Sequence, residues 1–322
     1  MQVLAVLGVC LVMDLWVAVK NDWTQSSLDF FDTVAAAAPL VAAALCFRRG
    51  GQSQGRERAA WNALTVATFL WGLGEAYIWY NDIIAQRGIP FDDRPLLFPS
   101  LADVGYMAFV PFALAGMLLL PRAIFRGRFR FELGLDAAMI GLAICTVSWV
   151  LIGPGVAAEF TSDAAGLLSL AYPITDAILV AVALLALDYT TGEDRLSLSF
   201  VMGGIVLFAV ADSGFVFITQ EHWIGLHPIM TLWPAGFLAI GLGALAPAGA
   251  HAPAAPRVMS ARAPAVGTAA ALAFGFPVAI QREDLVAEAL LLVLAVAAVC
   301  VAGWRHLEAE RMKRLRAPPP QT

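Results

Sequence analysis

Four acids stand inside long apolar stretches of this chain: Glu75, Asp103, Asp176 and Asp212. Each has aromatic company at helical spacing. Trp71, Glu75 and Trp79 are four apart, so one helical face presents indole, carboxyl, indole. Tyr106 follows Asp103 by three positions, Tyr172 precedes Asp176 by one turn, and Phe208 and Phe215 flank Asp212 on a similar face. Carboxyls walled by aromatic rings suit an organic cation. They equally suit a neutral ligand that stacks and donates hydrogen bonds. An ionisable side chain inside a membrane span costs about 2.5–3.5 kcal/mol on insertion scales, so it turns to a bundle interior or a cavity. The bland reading stands beside this one. Buried acids can be protonated and serve as glue between helices, bonded to backbone or to Ser100, Ser148, Thr175 and Ser213. Ser100 and Asp103 also have the spacing of a helix N-terminal cap.

Chemistry of other kinds is poorly provided for. The chain has only two lysines, Lys20 and Lys313, both outside apolar stretches, so a retinal-type Schiff base has no amine to form on. Cys10, Cys46, Cys145 and Cys300 lie in apolar runs without CxxC spacing, which reads as small buried residues. His222 and His227 with Glu221 lack the i, i+4 spacing of a helical metal pair, and no His sits mid-span to hold a haem. No phosphate-binding GxxxxGK loop and no Ser-His-Asp or Cys-His arrangement occurs. The expectation is therefore no enzyme, no cofactor, no metal and no nucleic-acid partner.

Hydrophobic residues make up 60% of the 322 positions and charged ones 14%, with a mean hydropathy of +0.76. A soluble domain is about a quarter charged. The charges lie between apolar runs of about 20 residues, the length that crosses a bilayer. The expected fold is all-α: a polytopic integral membrane bundle of about ten helices, at about 2–19, 28–47, 59–80, 101–120, 133–152, 166–187, 198–218, 228–246, 264–280 and 285–304. The ninth is short and broken by Pro277. The first, beginning at Val3, lacks a basic leader and contains Asp14, so it reads as a retained span.

If ten spans alternate, sixteen of the 20 basic residues fall on one side, among them Arg48, Arg49, Arg56, Arg58 and the Arg305–Arg316 cluster. Lys20, Arg87, Arg94 and Arg282 fall on the other. Both termini are then cytoplasmic. Glu75, Asp103 and Asp212, with Asp14 and Asp32, fall in the outer half of the bilayer, and Asp176 nearer its middle. No Arg or Lys within the spans answers these acids, so an acidic zone facing outward is expected. Trp16, Trp23, Trp79 and Trp223 stand where an interfacial aromatic belt would. The glycine pairs Gly72/Gly74, Gly203/Gly204 and Gly241/Gly243 point to close helix packing.

The chain divides into an eight-span body at 1–246 carrying the acidic and aromatic site, a Pro/Ala-rich cytoplasmic linker at 247–264, a two-span hairpin at 265–304 and a basic tail helix at 305–322. The tail reads as an anchor on anionic lipid or as a signalling stalk.

One series of residues has a family likeness. It runs from Trp61 and Trp71-Gly-Leu-Gly-Glu75 through Pro99-Ser-Leu-Ala-Asp103-Val-Gly-Tyr106, Leu135-Asp136, Ser148-Trp149 and Ala171-Tyr-Pro-Ile-Thr-Asp176 to Ala211-Asp212 and the stretch from Trp233 to Pro247. It resembles the multi-span N-terminal sensor region of bacterial, especially actinobacterial-type, GGDEF/EAL diguanylate cyclases and phosphodiesterases, and of some sensor kinases. The likeness covers roughly 55–250, and Pro-Ser-x-Ala-Asp-x-x-Tyr is its most specific part. The sequence continues to Arg316-Ala-Pro-Pro-Pro-Gln-Thr with no GGDEF, EAL or kinase stretch. The resemblance thus implies a sensory or ligand-binding membrane module, not cyclase activity.

The expected protein is a receptor-like module of the bacterial inner (cytoplasmic) membrane. It would bind a small ligand or a proton through Glu75, Asp103, Asp176, Asp212, Trp71, Trp79, Tyr106 and Tyr172. It would then signal to a protein partner through its tail or bundle. Homo-oligomerisation is left open. The rival readings are a proton-coupled transporter and a structural subunit of a membrane complex.

Overall fold

Ser100 begins a helix by bonding: its hydroxyl accepts from the Ala102 amide at 3.1 Å, and its own amide donates to Asp103 Oδ2 at 2.6 Å. This capping box satisfies amides that the first turn would otherwise leave open. The helix it opens belongs to a computed structural model that describes residues 25–89, 94, 98–120, 129–159, 163–188, 194–220, 227–246 and 290–301, with positions 12, 16, 268, 271, 272 and 287.

In chain order the helices are α1 (Gln25–Gln52), α2 (Gly55–Tyr80), α3 (Leu101–Leu119), α4 (Phe129–Glu159), α5 (Ala164–Asp188), α6 (Asp194–Gln220), α7 (Leu232–Leu245) and α8 (Leu290–Val301). A π-helical turn, Asn81–Ala85, follows α2, and a 3₁₀ turn, Pro228–Thr231, leads into α7. No strand occurs among the described residues. The helices fall where the apolar runs predict them and run a few residues further at most ends. The polar flanks stay helical although they lie outside an apolar stretch.

Five stretches are long and apolar enough to cross a membrane: Gln25–Gln52, Leu101–Leu119, Ala164–Leu187, Leu196–Phe215 and Pro228–Leu245. The helix α2, at 26 residues, is long enough but is diluted by Asn62, Thr65, Thr68 and Glu75. Shorter apolar helices are Gly134–Val150 and Leu290–Val301. Outward faces carry exposed apolar side chains such as Phe69, Leu73, Leu101, Val104, Ile174 and Ile178. This is a membrane-embedded helical architecture. The expected spans at 2–19 and 264–280, the linker at 247–264 and the tail at 305–322 lie outside the described residues, apart from isolated positions.

Six helices close a ring. Around it, α1 packs on α2, α2 on α3, α3 on α5, α5 on α6, α6 on α7, and α7 returns to α1. The helix α4 lies outside, against α5 and α6, and carries α8 through Met139, Ala143 and Leu294. At one end, Arg49 Nη1 donates to the Ala246 carbonyl at 3.0 Å and Arg56 Nη2 to the Leu118 carbonyl at 2.7 Å. Ser197 Oγ donates to the Gly243 carbonyl at 2.6 Å. These side chains serve the last carbonyls of α7 and α3, which have no partner within their own helices. The ends of α1, α3 and α7 thus meet the starts of α2 and α6, as alternation requires.

Two junctions depend on glycine. A Cβ at Gly105 would stand 2.5 Å from the Leu70 carbonyl oxygen, and one at Gly74 2.9 Å from that of Ala102, so α2 and α3 touch backbone to backbone. The helices α6 and α7 meet likewise through Gly204 and Gly236, a Cβ at Gly236 standing 2.7 Å from the Gly204 oxygen. Of the expected pairs, Gly72/Gly74 and Gly241/Gly243 have both members close to a neighbour, whereas in Gly203/Gly204 a Cβ at Gly203 would stand in open space.

This gives a matched test. Gly204→Ala must push α6 off α7 and should cost about 1–3 kcal/mol. Gly203→Ala should be neutral or slightly stabilising. Thermal unfolding of the two variants in detergent measures the difference, and equal midpoints would refute the close approach.

Candidate functional site

The centre of the ring is aromatic. Trp71 of α2 stacks on Tyr106 of α3 with ring centroids 4.1 Å apart and meets the edge of Phe208 of α6 at 4.5 Å. Phe109 of α3 and Phe237 of α7 complete the plug at 5.4–5.9 Å from Phe208 and from each other. Four helices meet through these rings, and Trp71, Phe109, Phe208 and Phe237 are buried.

The acids lie one turn further towards the end where α3, α5 and α7 begin. Position in the helix explains it. Glu75 is four residues after Trp71 on α2, Asp212 four after Phe208 on α6, and Asp103 six before Phe109 on the oppositely running α3. Trp71 Nε1 donates to Glu75 Oε1 at 2.9 Å, and Tyr106 hydrogen-bonds the same carboxyl. Tyr172 OH donates to Asp103 Oδ1 at 2.6 Å, bridging α5 to α3. Trp233 Nε1 donates to Asp212 Oδ1 at 2.5 Å, bridging α7 to α6. Asp212 also hydrogen-bonds Asp176, bridging α6 to α5. The layer therefore draws on α2, α3, α5, α6 and α7.

Seven of the eight expected residues, Trp71, Glu75, Asp103, Tyr106, Tyr172, Asp176 and Asp212, meet in this layer and its plug. Trp79 stays apart: its indole donates to Thr33 Oγ1 of α1 at 3.0 Å. It stands one turn beyond Glu75 and turns to α1, away from the rings that Trp71 meets. Asp176 lies at the level of Asp212, not deeper, because the two carboxyls meet. Asp103 has both oxygens taken, one by its own helix cap and one by Tyr172. It therefore has the least free capacity for a ligand. Thr175 bonds the Ala171 and Tyr172 carbonyls of its own helix instead of an acid, each at 2.9 Å. His227 Nδ1 accepts from the Ile229 amide at 3.2 Å and so caps the 3₁₀ turn, while Glu221 and His222 lie outside the described residues.

Trp233 and the plug phenylalanines Phe109 and Phe237 were not among the expected site residues. A Trp at the start of an apolar helix was the available signal for Trp233. Nothing local marks which acid it meets, 21 residues away.

A second polar group closes the same end of the ring. Arg94 Nη2 donates to Gln25 Oε1 at 2.8 Å and its Nε to the Ile89 carbonyl at 3.1 Å, with Nη1 3.7 Å from Asp82 Oδ1. Gln25 in turn donates to Asp29 Oδ1 at 2.8 Å, and Arg87 pairs with Asp29 at 3.2 Å. Asp29 of α1 and Asp82 of the π turn are thus answered by arginines supplied from the loop beyond α2, whereas Oδ2 of the buried Asp32 of α1 has no hydrogen-bond partner. No ion pair reaches Glu75, Asp103, Asp176 or Asp212 among the described residues.

Comparison of the chain with protein-family models, with curated proteins and with solved structures gave no match. The fold and layer define a class: a helical membrane protein whose interior carries aromatic-bound acids.

Two tests follow. Tyr172→Phe removes the bond that spans the sparsest junction of the ring, α3 to α5. It should cost about 0.6–1.7 kcal/mol, the range for bonds between membrane helices, read from unfolding in detergent. The second concerns Asp82. Burial lifts its carboxyl above the ordinary range, while Arg94 and a hydrogen bond with Asp32 act to lower it. The folded chain then holds this proton more tightly than the unfolded chain. Its contribution to stability falls as pH rises from the ordinary Asp value of about 3.9 through the folded one. Asp82→Asn should flatten that part of the unfolding-versus-pH curve. Arg94→Gln should extend the decline to higher pH.

Proposed function

We propose that this chain is a receptor-like sensory module of a bacterial inner membrane, with ten spans and both termini cytoplasmic. It takes its signal, a small ligand or a proton, in the layer of Glu75, Asp176 and Asp212. The observation that carries the reading is that acids from three helices converge with no cation among the described residues to neutralise them. Ionisable groups are costly at such depth, and a purely apolar or Ser/Thr interior would close the ring without them. The resemblance of the 55–250 stretch to the sensor regions of GGDEF/EAL proteins supports the same assignment.

The module would act by a population shift between two packings of the ring. The moving parts are the helices joined through single polar bridges, α5 to α3 and α5 to α6. The ends of α6 and α7 beside Ser197 and Gly243 would pass the change to a partner protein at the cytoplasmic face.

A second reading is a proton-coupled carrier. It is favoured by the Asp176–Asp212 contact, since two facing acids are also suited to a coupling ion. Proteoliposomes separate the two. Spin labels at positions 58 and 196 should change their separation when pH or a bound solute changes, with no net proton or solute flux. Gradient-driven flux abolished by Asp212→Asn would overturn the sensory reading in favour of the carrier. Labels that never move under either change would overturn it outright.

A further inference from the structure

The contact between Asp176 and Asp212 has more to say. Asp176 is 5% exposed, and its Oδ2 has no hydrogen-bond donor. Asp212 Oδ2 has none either, its Oδ1 being taken by Trp233. The two carboxyls nonetheless face one another within hydrogen-bonding reach. Ionised carboxylates only accept, so a hydrogen bond between two of them requires one proton. Two bare carboxylates in contact, away from water, would repel. The neighbouring rings pack at 4.1–5.9 Å, which is contact spacing, and a proton needs no further room.

We propose that Asp176 and Asp212 form a proton-binding site, one proton shared between the two carboxyls, and that this proton is the signal of the sensory module described above. The proposal rests on that reading and names its ligand. Tyr172 on α5, Asp103 and Tyr106 on α3, Glu75 on α2 and Trp233 on α7 surround the pair. Tyr172 directs its proton to Asp103, and Tyr106 bonds Glu75, so neither supplies the shared one. On α4 the buried acid Asp136 lies towards the far end, since Ile140 packs beside Ala181 and Leu185. When the proton passes to water, two negative charges face each other between α5 and α6. That junction then favours separation, while Trp233 keeps Asp212 tied to α7.

Infrared difference spectra between low and high pH test this on the full chain in lipid. A protonated-carboxyl C=O stretch should disappear as pH rises. It should shift when aspartate is ¹³C-labelled and stay in place when glutamate is. A component of it should be missing from both Asp176→Asn and Asp212→Asn, because either loss removes the shared proton, and kept in Asp82→Asn, whose own carboxyl also holds a proton above the ordinary range. A band that shifts only with labelled glutamate, or that is unchanged in either Asp variant, overturns the site. The labelling arm uses the unaltered protein and so decides the matter even where a variant fails to fold. The expected bands together with immobile spin labels would keep the proton site and overturn the sensory reading alone.

Discussion

Indole and phenol donors aimed at buried carboxyls hold this bundle in register. Trp71 and Tyr106 serve Glu75, Tyr172 serves Asp103, and Trp233 serves Asp212. A polar group buried without a partner costs free energy, and a buried charge costs more. Each acid therefore fixes where an aromatic donor must stand, and each donor except Trp71 belongs to a different helix from its acid. Helix packing in lipid has no hydrophobic drive of its own. Directional bonds of this kind carry correspondingly more of the specificity.

The remaining features let those bonds form. Glycine at 74, 105, 204 and 236 brings backbones close enough for α2–α3 and α6–α7 to pack without intervening side chains. The aromatic plug then fills the space between those two pairs. Arginines at both ends neutralise or cap what the interior does not: Arg49 and Arg56 on late carbonyls at one end, Arg87 and Arg94 on acids at the other. Among the described residues, the interior acids are met by aromatic donors and by no arginine or lysine.

The sequence made much of this legible. Apolar run length located all seven described helices from Gln25 to Leu245, because about 20 apolar residues in lipid have little choice but to be helical. Ser100 with Asp103 is the cap their spacing announces. Partner choice was not legible. Arg94 meets Gln25 across 69 positions, and Tyr172 meets Asp103 across the same separation. Which of two adjacent glycines touches a neighbour depends on a rotation of α6 that a list of apolar positions does not resolve. Trp79 shows the same limit: one turn past Glu75, it meets Thr33 of α1 instead of the layer.

The most direct test of the bonding account is a double-mutant cycle on Trp233 and Asp212. Trp233→Phe, Asp212→Leu and the pair together are compared by reversible unfolding in detergent. If the indole–carboxyl bond ties α7 to α6, the two changes should be non-additive, with a coupling of about 0.6–1.7 kcal/mol. Additive losses would mean that the two side chains act independently, and that packing alone closes the ring.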